Sequence, residues 1–143
     1  MREYIEYSSN FIDDLYTNLK EKKVVEKQIP NNVNIKYFHI ENVYVFFYKI
    51  ENNIVWYKIW SIKNTANNSV KIYATIQALE NIINLYKYNT NETLFVKKEY
   101  RNKKIWKKLY QDSLNFLINI FKKQNKQTIE VITVSTVSNF HKK

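Results

Sequence analysis

Glycine is absent from this chain of 143 residues, cysteine is absent too, and proline occurs once, at Pro30. A chain of average composition and this length would hold about ten glycines. Without them the usual glycine-rich phosphate cradle and the nucleophile elbow of hydrolases cannot be built. Turns that demand a positive φ fall to asparagine, the next most tolerant residue. The pairs Asn31-Asn32, Asn52-Asn53 and Asn67-Asn68 sit where turns are wanted. The missing cysteines exclude disulfides, thiolate metal sites and a cysteine nucleophile. Two histidines, His39 and His141, are too few for a histidine-rich centre, so no metal is expected. No apolar run is long enough to span a bilayer, and the start, MREYIEYSSN, lacks the apolar core of a signal peptide. The expectation is a cytoplasmic protein with no membrane partner. The bias toward lysine, asparagine and isoleucine fits coding in an AT-rich genome.

What remains is apolar, aromatic and basic. Hydrophobic residues make up 45% and aromatics 16%, the types that disordered chains lack, so one folded domain over residues 1–143 is expected. Twenty-three lysines and arginines against 13 acids give a net charge of +10. That balance favours polyanions, whether nucleic acid, an anionic cofactor or an acidic surface.

NFIDDLYTNLKEK reads as a helix: Ser8, Ser9 or Asn10 can cap it, and Ile12, Leu15, Tyr16 and Leu19 share a face. NIKYFHIENVYVFFYKI and IVWYKIWSIK read as a two-stranded hairpin turning at Glu51-Asn52-Asn53. The alternating Tyr44, Phe46 and Tyr48 offer rings on which bases could stack, although packing in a core accounts for them more simply. SVKIYA is a short strand, TIQALENIINLYKY a helix and TLFVKK a buried strand. The widest apolar face belongs to a helix from Lys103 to about Lys123, carrying Ile105, Leu109, Phe116 and Ile120. TIEVITVSTV is a final strand, so the last strand–helix–strand reads as a βαβ-type crossover. The class is α+β, close to α/β: a mixed, mostly antiparallel sheet flanked by helices.

The stretch EYRNKKIW opens the long helix and contains Arg101, the only arginine after Arg2. From Lys97 to Lys108 there are seven basic residues and one acid, Glu99. Asn102 reads as an N-cap, which puts Lys103 and Lys104 in the first helical turn, where the helix dipole disfavours cations. A bound anion would reverse that penalty, since backbone N–H groups and side chains would converge on it. A solvated lysine face is the equal alternative. Ser135, Ser138 and His141 lie close together, but no acid is patterned with them, and Glu92 reads as a surface carboxylate.

VKKEYRNKKIWKKL resembles the acetyl-coenzyme A loop of the GNAT acetyltransferase superfamily, which runs strand, R-x-x-G-x-G/A, helix. Val96 falls at the end of the family's fourth strand and Arg101 on the motif arginine. Lys104 and Trp106 stand where the family has its two glycines, and Leu109 on an apolar helix position. TIEVITVSTVSNF is similar to the family's fifth strand and the asparagine segment after it, with Asn139 on the asparagine. The resemblance implies a GNAT-like fold, cut short at the C-terminus because the chain stops at Lys143 before the family's tyrosine acid and last strands. It implies acetyl-coenzyme A as cofactor and transfer of acetyl to an amine, and the basic surface would favour an acidic or RNA-linked substrate. Leu94, Phe95 and Val96 would line the acyl arm. Arg101, Asn102, Lys103 and Lys104 would face the phosphates, with Trp106 and Asn139 beside them. The fourth and fifth strands would splay apart next to Arg101. No catalytic acid or base can be assigned. The alternative is a catalytically inactive basic module, GNAT-like or simply α/β, that binds nucleic acid or a protein. A bare edge strand would leave pairing with a second copy open.

Overall fold

The computed structural model describes residues 13–30, 32–74, 94–103 and 105–132. A helix over residues 13–21 (α1) leads into β1 (Glu26–Ile29), β2 (Asn32–Ile40), β3 (Val43–Ile50), β4 (Asn53–Thr65) and β5 (Ser69–Tyr73). After residues 75–93 come β6 (Leu94–Val96), a 3₁₀ helix (Lys98–Lys103), α2 (Ile105–Lys123) and β7 (Thr128–Ile132). The seven strands form one sheet, and the fold is α+β as expected. The expected helix over TIQALENIINLYKY, the caps at Ser8 to Asn10 and the end of the last strand lie outside the described residues.

Strands β1 to β5 form an antiparallel meander, and β7 adds to β5 in parallel. Two features depart from the sequence reading. β1 was not expected, and the expected first strand of the hairpin is two strands, β2 and β3. The chain reverses at Glu41-Asn42, where Glu41 takes φ 52° and Ile40 pairs with Val43. Asparagine carries positive φ at Asn52, Asn67, Asn68 and Asn125, as composition suggested, but Lys23, Glu41 and Glu51 carry it as well.

Two of these residues close helices. At the end of α1, Val24 N–H donates to Leu19 O at 3.1 Å and Lys23 N–H to Lys20 O at 3.0 Å, with Lys23 at φ 61°. At the end of α2, Lys126 N–H donates to Phe121 O and Asn125 N–H to Lys122 O, with Asn125 at φ 61°. Both are Schellman closures, a motif that ordinarily recruits glycine.

The sheet buries both faces, so β4 is buried without a break from Ile54 to Ile62. On one face α1 sets Leu15 and Leu19 against Phe38, Val45, Phe47, Tyr57 and Ile59. On the other, α2 sets Leu109, Leu117 and Phe121 against Phe46, Trp56, Trp60, Ile62, Val70 and Ile72. Each fully buried side chain of this size contributes roughly 1.5–3 kcal/mol. The rings of β3 therefore serve as core: Phe46 lies 5.3 Å from Tyr37 and 6.2 Å from Phe116, and is wholly buried. One polar contact fixes the placement of α2. The buried Trp60 Nε1–H donates to Ser113 Oγ at 3.2 Å, and that hydroxyl donates to Tyr110 O at 2.9 Å.

Candidate functional site

Beyond β3, the far edge of β4 is shared by two strands. β5 occupies Ser61 to Thr65, and β6 occupies Trp56 to Lys58. Both run antiparallel to β4, so β6 lies in line with β5, and among the described residues no strand partner faces Ile59 or Trp60 on that edge. Among the described residues β7 lies beside β5, from Ser69 opposite Thr128 to Tyr73 opposite Ile132. Ala74 N–H closes that pairing with a 2.9 Å bond to Ile132 O. Among the described residues, β4 is the sole strand neighbour of β6. β6 and β7 therefore run in the same direction within one sheet with α2 between them, as the βαβ-type reading expected, and among the described residues β7 pairs with β5.

The residues expected to line an acyl arm stand on β6. Phe95 points into the α1-side core, while Leu94 and Val96 belong to the α2 side. Next to Trp56, the partner of Val96, β4 carries an extra residue, Val55: the register with β3 shifts between Tyr48 and Lys49, and Val55 O accepts from Lys97 N–H at 2.9 Å. A bulge of this kind re-aims the strand next to it.

Arg101 has a defined job here. Its Nε–H donates to Val96 O at 2.7 Å, and its guanidinium lies 5.6 Å from the centre of the Phe95 ring. The side chain thus locks the turn onto the end of β6 and stays exposed. Its remaining N–H groups make no hydrogen bond or ion pair among the described residues.

Asn102 and Lys103 belong to the 3₁₀ helix Lys98–Lys103, so Asn102 is not the N-cap of the long helix; α2 begins at Ile105. With no glycine to carry an extended loop, the chain winds through a helical turn instead. α2 has no acid in its first turn and Lys122 and Lys123 in its last, so its C-terminal end alone is matched in charge. Trp106 is 36% exposed on the first turn of α2, beside the exposed Lys107 and Lys108. Lys104, Asn139, Glu92, Ser135, Ser138 and His141 lie outside the described residues.

Sequence reasoning passed over Lys58. It lies on β4 opposite Leu94, where β6 begins, and is 1% exposed. Its Nζ donates to Ile59 O at 2.6 Å and reaches Ala74 O at 3.5 Å. The Trp60 ring centre lies 4.0 Å away and that of Tyr110 5.9 Å away. Removal from water pushes the amine from its ordinary 10.5 down to about 7. Its neighbours Trp56 and Trp60 are large and apolar, so alternation alone would have predicted an apolar residue there. The indole N–H of Trp56, also fully buried, donates to no described atom.

Among the described residues no cluster of three or more His, Cys, Asp or Glu gathers to hold a metal, and no helix is long and apolar enough to cross a membrane. Together the fold and the junction define an α+β protein in which the edge strand β6 runs into a basic strand-to-helix turn. No protein-family model and no curated protein matches the chain. Among solved structures, an aminoglycoside acetyltransferase from an uncultured soil metagenomic sample, in complex with trehalose, is similar. The two share 16% identity at a TM-score of 0.42, over 93% of this chain and 77% of that one.

Proposed function

We propose that the protein binds acetyl-coenzyme A along β6 and transfers its acetyl group to an amine. The carrying observation is a sheet edge that leads straight into a basic turn. β6 lies in line with β5 on the edge of β4, and the segment after β6 is the basic turn held by Arg101. A diphosphate would lie against that turn, and an acyl arm would run back beside Val96 and Leu94 toward the start of β6. The motif resemblance in VKKEYRNKKIWKKL supports the same orientation.

Arg101, Lys103 and Lys104 are the groups proposed to hold the phosphates, with exposed N–H groups of the turn and the start of α2. Leu94, Phe95 and Val96 would present the strand edge to the arm, Trp106 would flank the nucleotide and Asn139 would lie nearby. The thioester of the cofactor supplies the activated acetyl group. The chain contributes binding, orientation and the exclusion of water. The acceptor is an amine, and the net charge of +10 favours one carried on an acidic or RNA-linked molecule.

A ligand that binds only the native state raises the melting temperature by mass action. Coenzyme A should therefore raise it for the wild type and fail to do so for Arg101→Ala. The absence of any shift at saturating coenzyme A would sink the reading.

One observation favours a second reading. Exposed Trp106 amid exposed Lys98, Arg101, Lys107 and Lys108 is a surface on which a base could stack while cations follow a phosphate backbone. Under that reading single-stranded RNA binds with strong salt dependence, Trp106→Ala weakens it, and coenzyme A has no effect.

A further inference from the structure

We propose that the cleft beyond the C-terminal end of α2 is a second ligand site, which takes a small planar aromatic monocarboxylate. It lies at the opposite end of α2 from the basic turn and stands independently of the cofactor reading.

The cleft holds about 280 Å³, just below the usual range of roughly 300–1,000 Å³ for small-molecule pockets, so it suits a single ring. Its lining comes from the β2–β3 turn, from β4 and from the loop after α2, all within the described residues. Tyr44 lines it with 5% of its surface exposed, and its hydroxyl has no hydrogen-bond partner among the described residues. On so buried a ring a hydroxyl ordinarily finds a partner.

The sign of the ligand's charge follows from which groups are already engaged. At the end of α2 the carbonyls of Ile120, Phe121 and Lys122 accept from the N–H groups of Gln124, Lys126 and Asn125. Glu41 O accepts from His39 Nε2–H at 2.9 Å, and Asn42 O from Ile62 N–H at 2.7 Å. Asn64 Oδ1 accepts from Lys126 Nζ at 3.2 Å, which leaves the Asn64 amide as a donor. The groups left over are therefore the Tyr44 hydroxyl, the Asn64 amide and the remaining protons of Lys126. Donors of this kind suit a carboxylate. Lys27, whose charge is felt at His39, adds to the positive field. Glu41 is the acid among the lining residues, so one negative charge fits better than two.

Stacking sets the aromatic preference. The rings of Phe46 and Tyr44 lie 6.3 Å apart at 16°, and those of Tyr44 and His39 4.0 Å apart at 9°. His39 is exposed, and its bond to Glu41 O fixes the plane of its ring at the end of that row. Burial pushes the imidazole below its ordinary 6.5, so it is neutral at pH 7. A flat ring continues such a row, and a puckered one does not.

The test is amide chemical-shift titration of the wild-type protein with benzoate, set beside benzylamine and cyclohexanecarboxylate. Benzoate should give saturating shifts at residues 39–44, 62–64 and 121–126, and the other two should bind at least about tenfold more weakly. Tyr44→Phe keeps the ring and loses no internal hydrogen bond, so it should melt like the wild type yet bind benzoate about tenfold more weakly. Should Tyr44→Phe fail to fold, Lys126→Gln carries the same comparison. Tighter binding of benzylamine would overturn the assignment of charge, and equal binding of cyclohexanecarboxylate the assignment of a ring. No saturating shift with benzoate, or unchanged affinity in the folded variant, overturns the site.

Discussion

Lys58 is the residue whose chemistry the fold alters most, and it sets a measurable pH dependence. Its amine titrates near 7 in the folded protein against an ordinary 10.5. Between those values the unfolded chain holds a proton that the folded chain lacks, so stability rises with pH across that window. Below about pH 7 both states are protonated and the cost of burying the charge is fully present. Chemical denaturation of Lys58→Met should lose this rise between pH 7 and 10. A variant that kept the wild-type slope would mean that Lys58 stays charged when buried. Trp56 makes the contrasting case. Its indole N–H has no described partner, so Trp56→Phe should lose packing but no hydrogen bond, leaving stability within about 1–2 kcal/mol of the wild type. Ser113→Ala takes away the acceptor of the buried Trp60 indole and should cost about 1–3 kcal/mol in the same denaturation experiment.

At the scale of elements, the turns show how a chain without glycine closes its helices. Lys23 and Asn125 both occupy left-handed positions, at φ 61° each. For a lysine that conformation costs about 1–2 kcal/mol, partly offset by the greater chain entropy glycine would bring to the unfolded state. Lys23→Gly should therefore raise stability by up to about 1 kcal/mol, and Asn125→Gly by less, because asparagine tolerates the region better. Equal or negative effects in thermal melts would show that neither closure is strained. The strands and α2 were legible because their patterns are strong: alternation in VYVFFYKI and a wide apolar face from Ile105 to Phe121. The reversal at Glu41-Asn42 was not, since a glutamate at positive φ carries no turn signal of its own. β1 was hidden because EKQI shows one buried residue in four. The basic junction was visible as composition. What Arg101 does there was not, since the partner of its Nε–H is a backbone carbonyl five residues earlier.

For the whole molecule, the tyrosines bound the pH range from above. Burial raises Tyr37, Tyr44 and Tyr110, and burial followed by the hydrogen bond and charge of Glu26 raises Tyr16. Above about pH 10 the unfolded chain ionises these phenols while the folded chain resists, so stability falls. Together with Lys58 this predicts a stability maximum on the alkaline side of neutrality. The molecule's two ends also differ. Arg101 and the basic turn stand at the start of α2, whereas a cleft of about 280 Å³ lined by His39, Tyr44, Asn64, Phe121 and Lys126 lies at its other end. Amide chemical-shift mapping of the protein during titration with coenzyme A tests the central claim by distinguishing these ends. The account predicts shifts that saturate and cluster at residues 94–108, with smaller ones at Tyr73, Ala74 and Ile132. No shifts, or shifts confined to the surroundings of His39 and Lys126, would contradict it.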